Sequence, residues 1–171
     1  MFAHYNGMAN WIFIFGLLSA LGSGLIAGTF FAFSTFVMRS LGRVPSNEGI
    51  AAMQSINIVV INSWFMTVFV GTAVTSIVLA VVSLFRWAES GSGYSLAGCL
   101  LYVVGTFLVT IFFNVPLNDA LASVDPQSAQ GADVWTNYLS RWTIWNHVRT
   151  AAALAAMTCL IFGLVYRQTR L

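Results

Sequence analysis

The sequence contains very little charge. Charged residues make up 7% of its 171 residues, against 58% hydrophobic residues, and the mean hydropathy is +0.83. All seven basic residues are arginines, so lysine chemistry is absent. A water-soluble domain carries about a quarter charged residues, because it needs them to cover its surface. We therefore predict an integral membrane protein whose surface is mostly in contact with the lipid bilayer.

The few polar residues also exclude several classes of function. The net charge of +2 and the scattered arginines argue against binding to nucleic acid. Cys99 and Cys159 lie in apolar runs without metal-ligand spacing, and we interpret them as small core residues. The two histidines lie at opposite ends of the chain, which argues against a histidine-rich metal site or a bis-histidine haem. No glycine-rich phosphate loop, paired carboxylates or nucleophile elbow is present. We expect no metal and no cofactor.

Four apolar runs are each long enough to cross a bilayer, which takes about 20 residues. They predict four helices at about 9–38, 47–85, 94–121 and 133–166. The polar connections between them are short, which favours an up-down-up-down order. We predict an all-α, four-transmembrane-helix bundle that forms a single domain over residues 1–171, with homo-oligomerisation left open. The N-terminus lacks the basic region of a secretory signal, so we expect the first helix to be retained.

Polar residues collect at one end of the predicted bundle. They lie near the ends of the first and third helices and near the beginnings of the second and fourth, which meet at this end of the bundle. The segments are residues 34–40, 53–62, 114–119 and 138–150. At about 100° per residue, positions three or four apart share a helix face. Three such stripes follow: Gln54 with Asn57; Asn114 with Asn118, around Pro116; and Trp142, Trp145 and Asn146 with Arg149. His147 points about 100–160° away from the last stripe.

The position of Arg149 suggests a buried site. The apolar run that follows it, Thr150–Tyr166, has only 17 residues, so a fourth helix that spans the bilayer draws Asn146–Arg149 to the headgroup boundary or inside it. A buried arginine costs about 2.5–3.5 kcal/mol on insertion scales and usually faces the bundle interior, where it pairs. Asp119 and the asparagine carbonyls are candidate partners. These observations lead to the hypothesis of a polar pocket open to one face.

Simpler interpretations stand beside this hypothesis. Trp142 and Trp145 also suit an aromatic belt at the membrane interface, and Arg149 also suits snorkelling to headgroups. Asparagines in membrane helices often only link helices, at about 0.6 kcal/mol each. That role explains any one asparagine well, but it explains less well why Asn57, Asn62, Asn114 and Asn118 gather at one end.

Three segments together resemble the anthrone-oxygenase-like family of small four-helix integral membrane proteins. They are "FAFSTFVMRSLGRVPSNEGIAAMQSIN" (Phe31–Asn57), "NVPLNDALA" (Asn114–Ala122) and "WTIWNHVRTAAALAA" (Trp142–Ala156). Many members have no assigned reaction. Some fungal members are associated with the oxidation of anthrones to anthraquinones, without a metal or a flavin. The resemblance implies the same type of reaction for this chain.

The resemblance implies a lipophilic, anthrone- or quinone-like substrate, and its chemistry suggests roles for the residues at the polar end. His147 would be the general base. Arg149, with Asn57, Asn114, Asn118 or Asn146, would hold the oxyanion. Trp142 and Trp145 would stack on the rings, and Gln54 would line the same pocket. The alternative is a non-enzymatic accessory subunit or hydrophobic small-molecule binder, in which the polar residues lock the helices together.

The arginine distribution suggests an orientation. Arg86, Arg167 and Arg170 lie on the side of the termini, and Arg39 and Arg43 lie on the other. If Arg141 and Arg149 are internal, the positive-inside rule favours cytoplasmic termini. We expect a bacterial inner (plasma) membrane.

Overall fold

The computed structural model describes residues 2–61 and 64–168, with side chains from Asn10 onward. These residues form seven α-helices and no strand: α1 (Phe2–Ala32), α2 (Met38–Leu41), α3 (Ser46–Ile61), α4 (Trp64–Phe85), α5 (Ser92–Tyr102), α6 (Val115–Ala122) and α7 (Ala129–Gln168). Asn62 and Arg170, which entered the sequence predictions, lie outside the described residues.

Four helical stretches are long and apolar enough to cross a membrane. These spans are Asn10–Leu41, Trp64–Phe85, Ser92–Ala122 and Ala129–Gln168. The predicted all-α, up-down-up-down bundle of four transmembrane helices is confirmed. The fourth span begins at Ala129 rather than near residue 133, because the Ser128 hydroxyl accepts a 2.9 Å hydrogen bond from the Gly131 N–H and caps the helix.

Two of the spans contain π-helical turns. The first span includes Phe33–Val37, and the third includes Val103–Leu108 and Thr110–Asn114. Pro116 follows directly in α6 and has no N–H to bond the Phe112 carbonyl, so a regular α-helix cannot continue through this point. π-Helix accounts for well under 1% of residues in proteins and recurs at functional sites. Here all three segments pack against α7.

The fourth span is the centre of the bundle. Ten of its buried residues recur every three or four positions, and Thr150 is buried beside them: Gly131, Trp135, Tyr138, Trp142, Asn146, Arg149, Ala153, Ala156, Leu160 and Gly163. The stripe is aromatic near its N-terminus, polar in the middle, and small or aliphatic near its C-terminus. The aromatic part packs with α3 and α6 in a cluster that we call the cap: Met38, Ile50, Met53, Leu121, Trp135, Tyr138 and Trp142.

The helices are longer than a bilayer requires. α7 has 40 residues, about 60 Å at 1.5 Å per residue, against a hydrocarbon core of about 30 Å. At one end of the bundle Glu89 accepts hydrogen bonds from Arg86 at 2.8 Å and Arg167 at 3.0 Å. If this charged cluster marks one membrane boundary, a span of about twenty residues places the other near residue 147. Arg149 therefore lies at this second boundary, and the cap projects beyond it.

Candidate functional site

The site is built around Asn146 and Arg149, one turn apart on the buried face of α7. The Arg149 Nη2 donates a 2.7 Å hydrogen bond to the Asn146 Oδ1, and its Nη1 donates to the Thr110 Oγ1 at 3.2 Å. The Asn146 Nδ2 donates to the Phe30 carbonyl and to the Ser34 Oγ, both at 2.7 Å. This network joins the first, third and fourth spans at one level.

Arg149 is buried without an acidic partner. The residue is only 3% exposed. Its guanidinium carbon lies 4.0 Å from the centroid of the Phe30 ring and 5.0 Å from that of the Trp142 ring. All five acidic residues of the sequence are exposed, and Asp119, which we expected as a candidate partner, is one of them. The partners of Arg149 are neutral side chains and aromatic faces, which attract a cation through their quadrupoles.

Asn114 and Asn118 lie on the third span and both contact Trp142. The Asn114 Nδ2 donates to the Trp142 carbonyl at 3.2 Å, whereas its Oδ1 is buried with no partner among the described residues. The Asn118 Oδ1 accepts from the Tyr138 hydroxyl at 2.8 Å and from the Trp142 Nε1 at 2.9 Å. Because the Trp142 ring lies 5.0 Å from the Arg149 guanidinium, we group Asn114 with Arg149, and we group Asn118, which also bonds Tyr138, with the cap.

Gln54 and Asn57 lie on α3 in the cap. The Gln54 Nε2 donates to the carbonyls of Leu121 at 2.8 Å and Val124 at 3.1 Å, so it ties α3 to the end of the third span. Asn57 is half-buried and faces the Tyr138 hydroxyl. Both side chains lie in the cap and not beside Arg149.

His147 and Trp145 do not join the Arg149 level. His147 is exposed on the outer surface of α7, because one residue of helix rotates it about 100° from Asn146. Trp145 is half-buried and stacks on Phe113, with ring centroids 3.8 Å apart. Of the residues predicted for one shared face, the structure brings Trp142, Asn146 and Arg149 together with Asn114.

Several residues of the site were missed in the sequence interpretation. Ser34 and Thr150 form a 3.0 Å hydrogen bond beside Asn146, and Thr110 contacts Arg149. Tyr138 had a usable signal, because it precedes Trp142 by four positions on the same stripe. Single hydroxyl-bearing residues in apolar helices carry no such signal, since they usually bond to their own helix backbone.

Aromatic side chains cover the membrane side of Arg149. Phe30 lies 6.0 Å from Phe65 and 6.4 Å from Phe69, and Phe69 lies 5.2 Å from Phe107, all between ring centroids. The Tyr102 hydroxyl is satisfied by the Phe69 carbonyl at 3.0 Å. A polar level therefore borders directly on an aromatic layer near the bilayer interior.

The rest of the bundle offers different chemistry. Buried polar side chains in the opposite half are serine and threonine hydroxyls, such as the Ser19–Thr75 pair at 2.9 Å. Two clefts of about 250 and 300 Å³ lie between the first and second spans, one beside Trp11 and Arg86 and one beside Gly22 and Gly71. Neither is lined by Arg149.

Within the described part of the chain, no group of three or more His, Cys, Asp or Glu residues could hold a metal ion. Both cysteines are free thiols, Cys99 buried and Cys159 half-buried.

These features define a four-helix membrane protein with a buried, uncompensated arginine between two layers of aromatic side chains. The family model described as anthrone oxygenase matches residues 65–159, which is more than half of the chain. The chain therefore belongs to the anthrone oxygenase family, as its sequence motifs indicated. The matched region contains Asn114, Trp142, Asn146 and Arg149. Comparisons with curated proteins and with solved structures returned no match.

Proposed function

We propose that this protein is a cofactor-independent oxygenase for a lipophilic aromatic molecule with an enolisable ketone, of the anthrone type, which it converts to the quinone. The observation that carries the proposal is Arg149, which is buried among neutral groups while every acidic residue of the chain is exposed. An isolated buried charge is costly, and intramembrane arginines commonly mark functional sites. A ligand oxygen that gains negative charge during reaction would complete this site.

The proposed reaction oxidises the activated methylene of the substrate with O2. The methylene loses both hydrogens, one oxygen atom of O2 becomes the new carbonyl oxygen, and the other leaves as water. O2 reacts with the electron-rich carbon of the enol or enolate. The role proposed for Arg149 is to stabilise charge that develops on the substrate oxygen, as preorganised donors do in other enzymes.

The aromatic layer supports a flat hydrophobic substrate. Phe30 lies 4.0 Å from the guanidinium carbon, and the rings of Phe65, Phe69 and Phe107 pack behind Phe30. A molecule that partitions into lipid would reach this layer from the bilayer and direct its oxygen toward Arg149. No carboxylate or imidazole within the described residues contacts Arg149, and His147 faces outward, so the substrate proton is proposed to leave to solvent.

A non-enzymatic function is the second candidate, and specific contacts favour it. The amide groups of Gln54, Asn118 and Asn146 are engaged in hydrogen bonds between helices. Such contacts lock the bundle, as expected for an accessory subunit or for a binder of hydrophobic small molecules. In this candidate function, Arg149 binds a ligand or stabilises the bundle, and no reaction is catalysed.

The test is oxidation of anthrone by the purified protein in detergent, followed by ultraviolet absorbance with and without O2. We expect an oxygen-dependent rate above that of protein-free detergent. Arg149→Met should lower this rate by about 10²–10³-fold, the typical effect of removing one preorganised donor. Gln54→Leu is the matched control, because it removes a half-buried polar contact in the cap and should leave the rate nearly unchanged. A wild-type rate equal to the protein-free rate would exclude the oxygenase.

The orientation with cytoplasmic termini remains a proposal. It depended on leaving out both Arg141 and Arg149, but only Arg149 is buried, and Arg141 is exposed. Three arginines then lie on each side: Arg86, Arg167 and Arg170 against Arg39, Arg43 and Arg141. This equal count favours neither orientation. Location in a bacterial inner membrane and homo-oligomerisation likewise remain proposals.

A further inference from the structure

Two buried polar atoms at the Arg149 level have no hydrogen-bond partner among the described residues. They are the Nε of Arg149 and the Oδ1 of Asn114, on residues that are 3% and 0% exposed. Nearly all buried polar groups in proteins are hydrogen-bonded, and exceptions often indicate a missing water, ion or ligand. The Arg149 Nε is a hydrogen-bond donor, and the Asn114 Oδ1 is an acceptor.

The chemistry of the neighbours determines which atoms are free. The Asn114 amide nitrogen lies 3.2 Å from the Trp142 carbonyl, which can only accept, so the atom left over must be the amide oxygen. In Arg149, Nη1 and Nη2 already donate to Thr110 and Asn146. The Nε is the one guanidinium nitrogen without a partner among the described residues. An arginine has no acceptor, and an amide oxygen has no proton to donate.

The two residues share neighbours. Thr110 begins, and Asn114 ends, one π-helical segment of the third span, and Thr110 bonds Arg149 directly. Trp142 contacts both residues, because its carbonyl accepts from Asn114 and its ring lies 5.0 Å from the Arg149 guanidinium. Arg149 and Asn114, which each carry one unsatisfied atom, therefore contact the same tryptophan.

We infer that a hydroxyl group binds between these atoms, accepting from the Arg149 Nε–H and donating its own proton to the Asn114 Oδ1. The inference rests on the proposed function and specifies its ligand: the site takes the enol or phenol form of an aromatic molecule. A ketone or an ether has no proton for Asn114. A full oxyanion has none either, so the ligand binds in its neutral form, and negative charge develops on its oxygen only during the reaction. For an enolisable ketone, the bound form is the enol tautomer.

The experiment compares 1-naphthol, 1-methoxynaphthalene and naphthalene by calorimetric titration of the purified full chain in detergent. We expect 1-naphthol to bind about tenfold or more tightly than the methyl ether, because the ether leaves Asn114 unpaired. Asn114→Leu should remove most of this preference, and Gln54→Leu should keep it. Arg149→Met should weaken binding of 1-naphthol.

A second measurement needs only the wild-type protein. Titration of 1-naphthol near neutral pH in two buffers with different ionisation enthalpies reports protons released on binding. We expect no release, because the hydroxyl keeps its proton; release of one proton would mean that the anion binds, and would overturn the inference.

The outcomes separate the inference from the proposed function. If 1-naphthol and its methyl ether bind equally and both depend on Arg149, an aromatic site exists but the hydroxyl inference is wrong. If none of the three compounds binds while anthrone is still oxidised, the hydroxyl inference fails and the proposed function stands; if anthrone is not oxidised either, both fail.

Discussion

Arg149 donates from Nη2 to the Oδ1 of Asn146 at 2.7 Å, and Asn146 donates in turn to the Phe30 carbonyl on another span. The asparagine amide therefore connects a buried cation to the backbone of the first helix. Its orientation is unambiguous, because the Phe30 carbonyl can only accept and Arg149 can only donate. The positive charge is thus held by dipoles, aromatic rings and no carboxylate.

Arg149 and Asn146 should be energetically coupled. Arg149→Met should lower the free energy of unfolding by about 1–3 kcal/mol, because the Asn146 Oδ1 loses its donor. Asn146→Leu should cost about 3–5 kcal/mol, because it leaves a buried cation without its best acceptor. The double variant should cost less than the sum, with a coupling of about 1–3 kcal/mol, in denaturation followed by circular dichroism. Additive effects would contradict the contact.

Asn118 should stabilise the cap. Asn118→Leu leaves the Tyr138 hydroxyl and the Trp142 Nε1 without their shared acceptor, and should cost about 1–3 kcal/mol. Asp119→Asn is the matched control, because Asp119 is the next residue and is exposed. Thermal unfolding followed by tryptophan fluorescence separates the two. Equal melting temperatures for both variants would argue against this role of Asn118.

His147 should be dispensable. Because its side chain is exposed on α7 and does not contact Arg149, His147→Gln should change anthrone oxidation and 1-naphthol binding by less than about twofold. The same assays on Arg149→Met provide the contrast. A loss of about 10²-fold or more in His147→Gln would return the histidine to the role of general base.

Gly98 should be required for close approach of the third and fourth spans. A β-carbon at Gly98 would lie 2.9 Å from the Ala156 carbonyl oxygen, so Gly98→Ala should cost about 1–3 kcal/mol. At Gly28 a β-carbon meets nothing within 4 Å, and Gly28→Ala should be neutral or stabilise the helix by up to about 1 kcal/mol. Unfolding of the two variants in the same detergent compares them. A reversed order would show that the spans are not packed in this way.

The composition and the apolar runs predicted the four spans, because both depend on local sequence. The polar stripe of α7 could also be predicted from the sequence, since Trp142, Asn146 and Arg149 follow helical periodicity. The same periodicity correctly separated His147 from that stripe. The proposed role of His147 came instead from the family resemblance, which supplies a chemistry but no direction for a side chain.

The partners of Arg149 could not be predicted from the sequence in the same way. Asp119 was a reasonable candidate on charge, but the cation is solvated by Phe30, Trp142 and Asn146 instead. The π-helical turns contribute to this difference. Each wide turn shifts the register of the residues that follow, so a stripe counted at 100° per residue loses its direction beyond Val103 and Thr110.

By itself, the sequence determined that the chain resides in lipid, that it crosses the membrane four times, and that its polar side chains meet at one end. Composition and helical periodicity suffice for these conclusions, because they are properties of each segment alone. Only the tertiary structure decided which polar groups pair. The Asn146–Phe30 hydrogen bond joins residues 116 positions apart, and it depends on how two helices are rotated against each other. Only the packed bundle sets that rotation, and so leaves the Arg149 Nε and the Asn114 Oδ1 unpaired at one level.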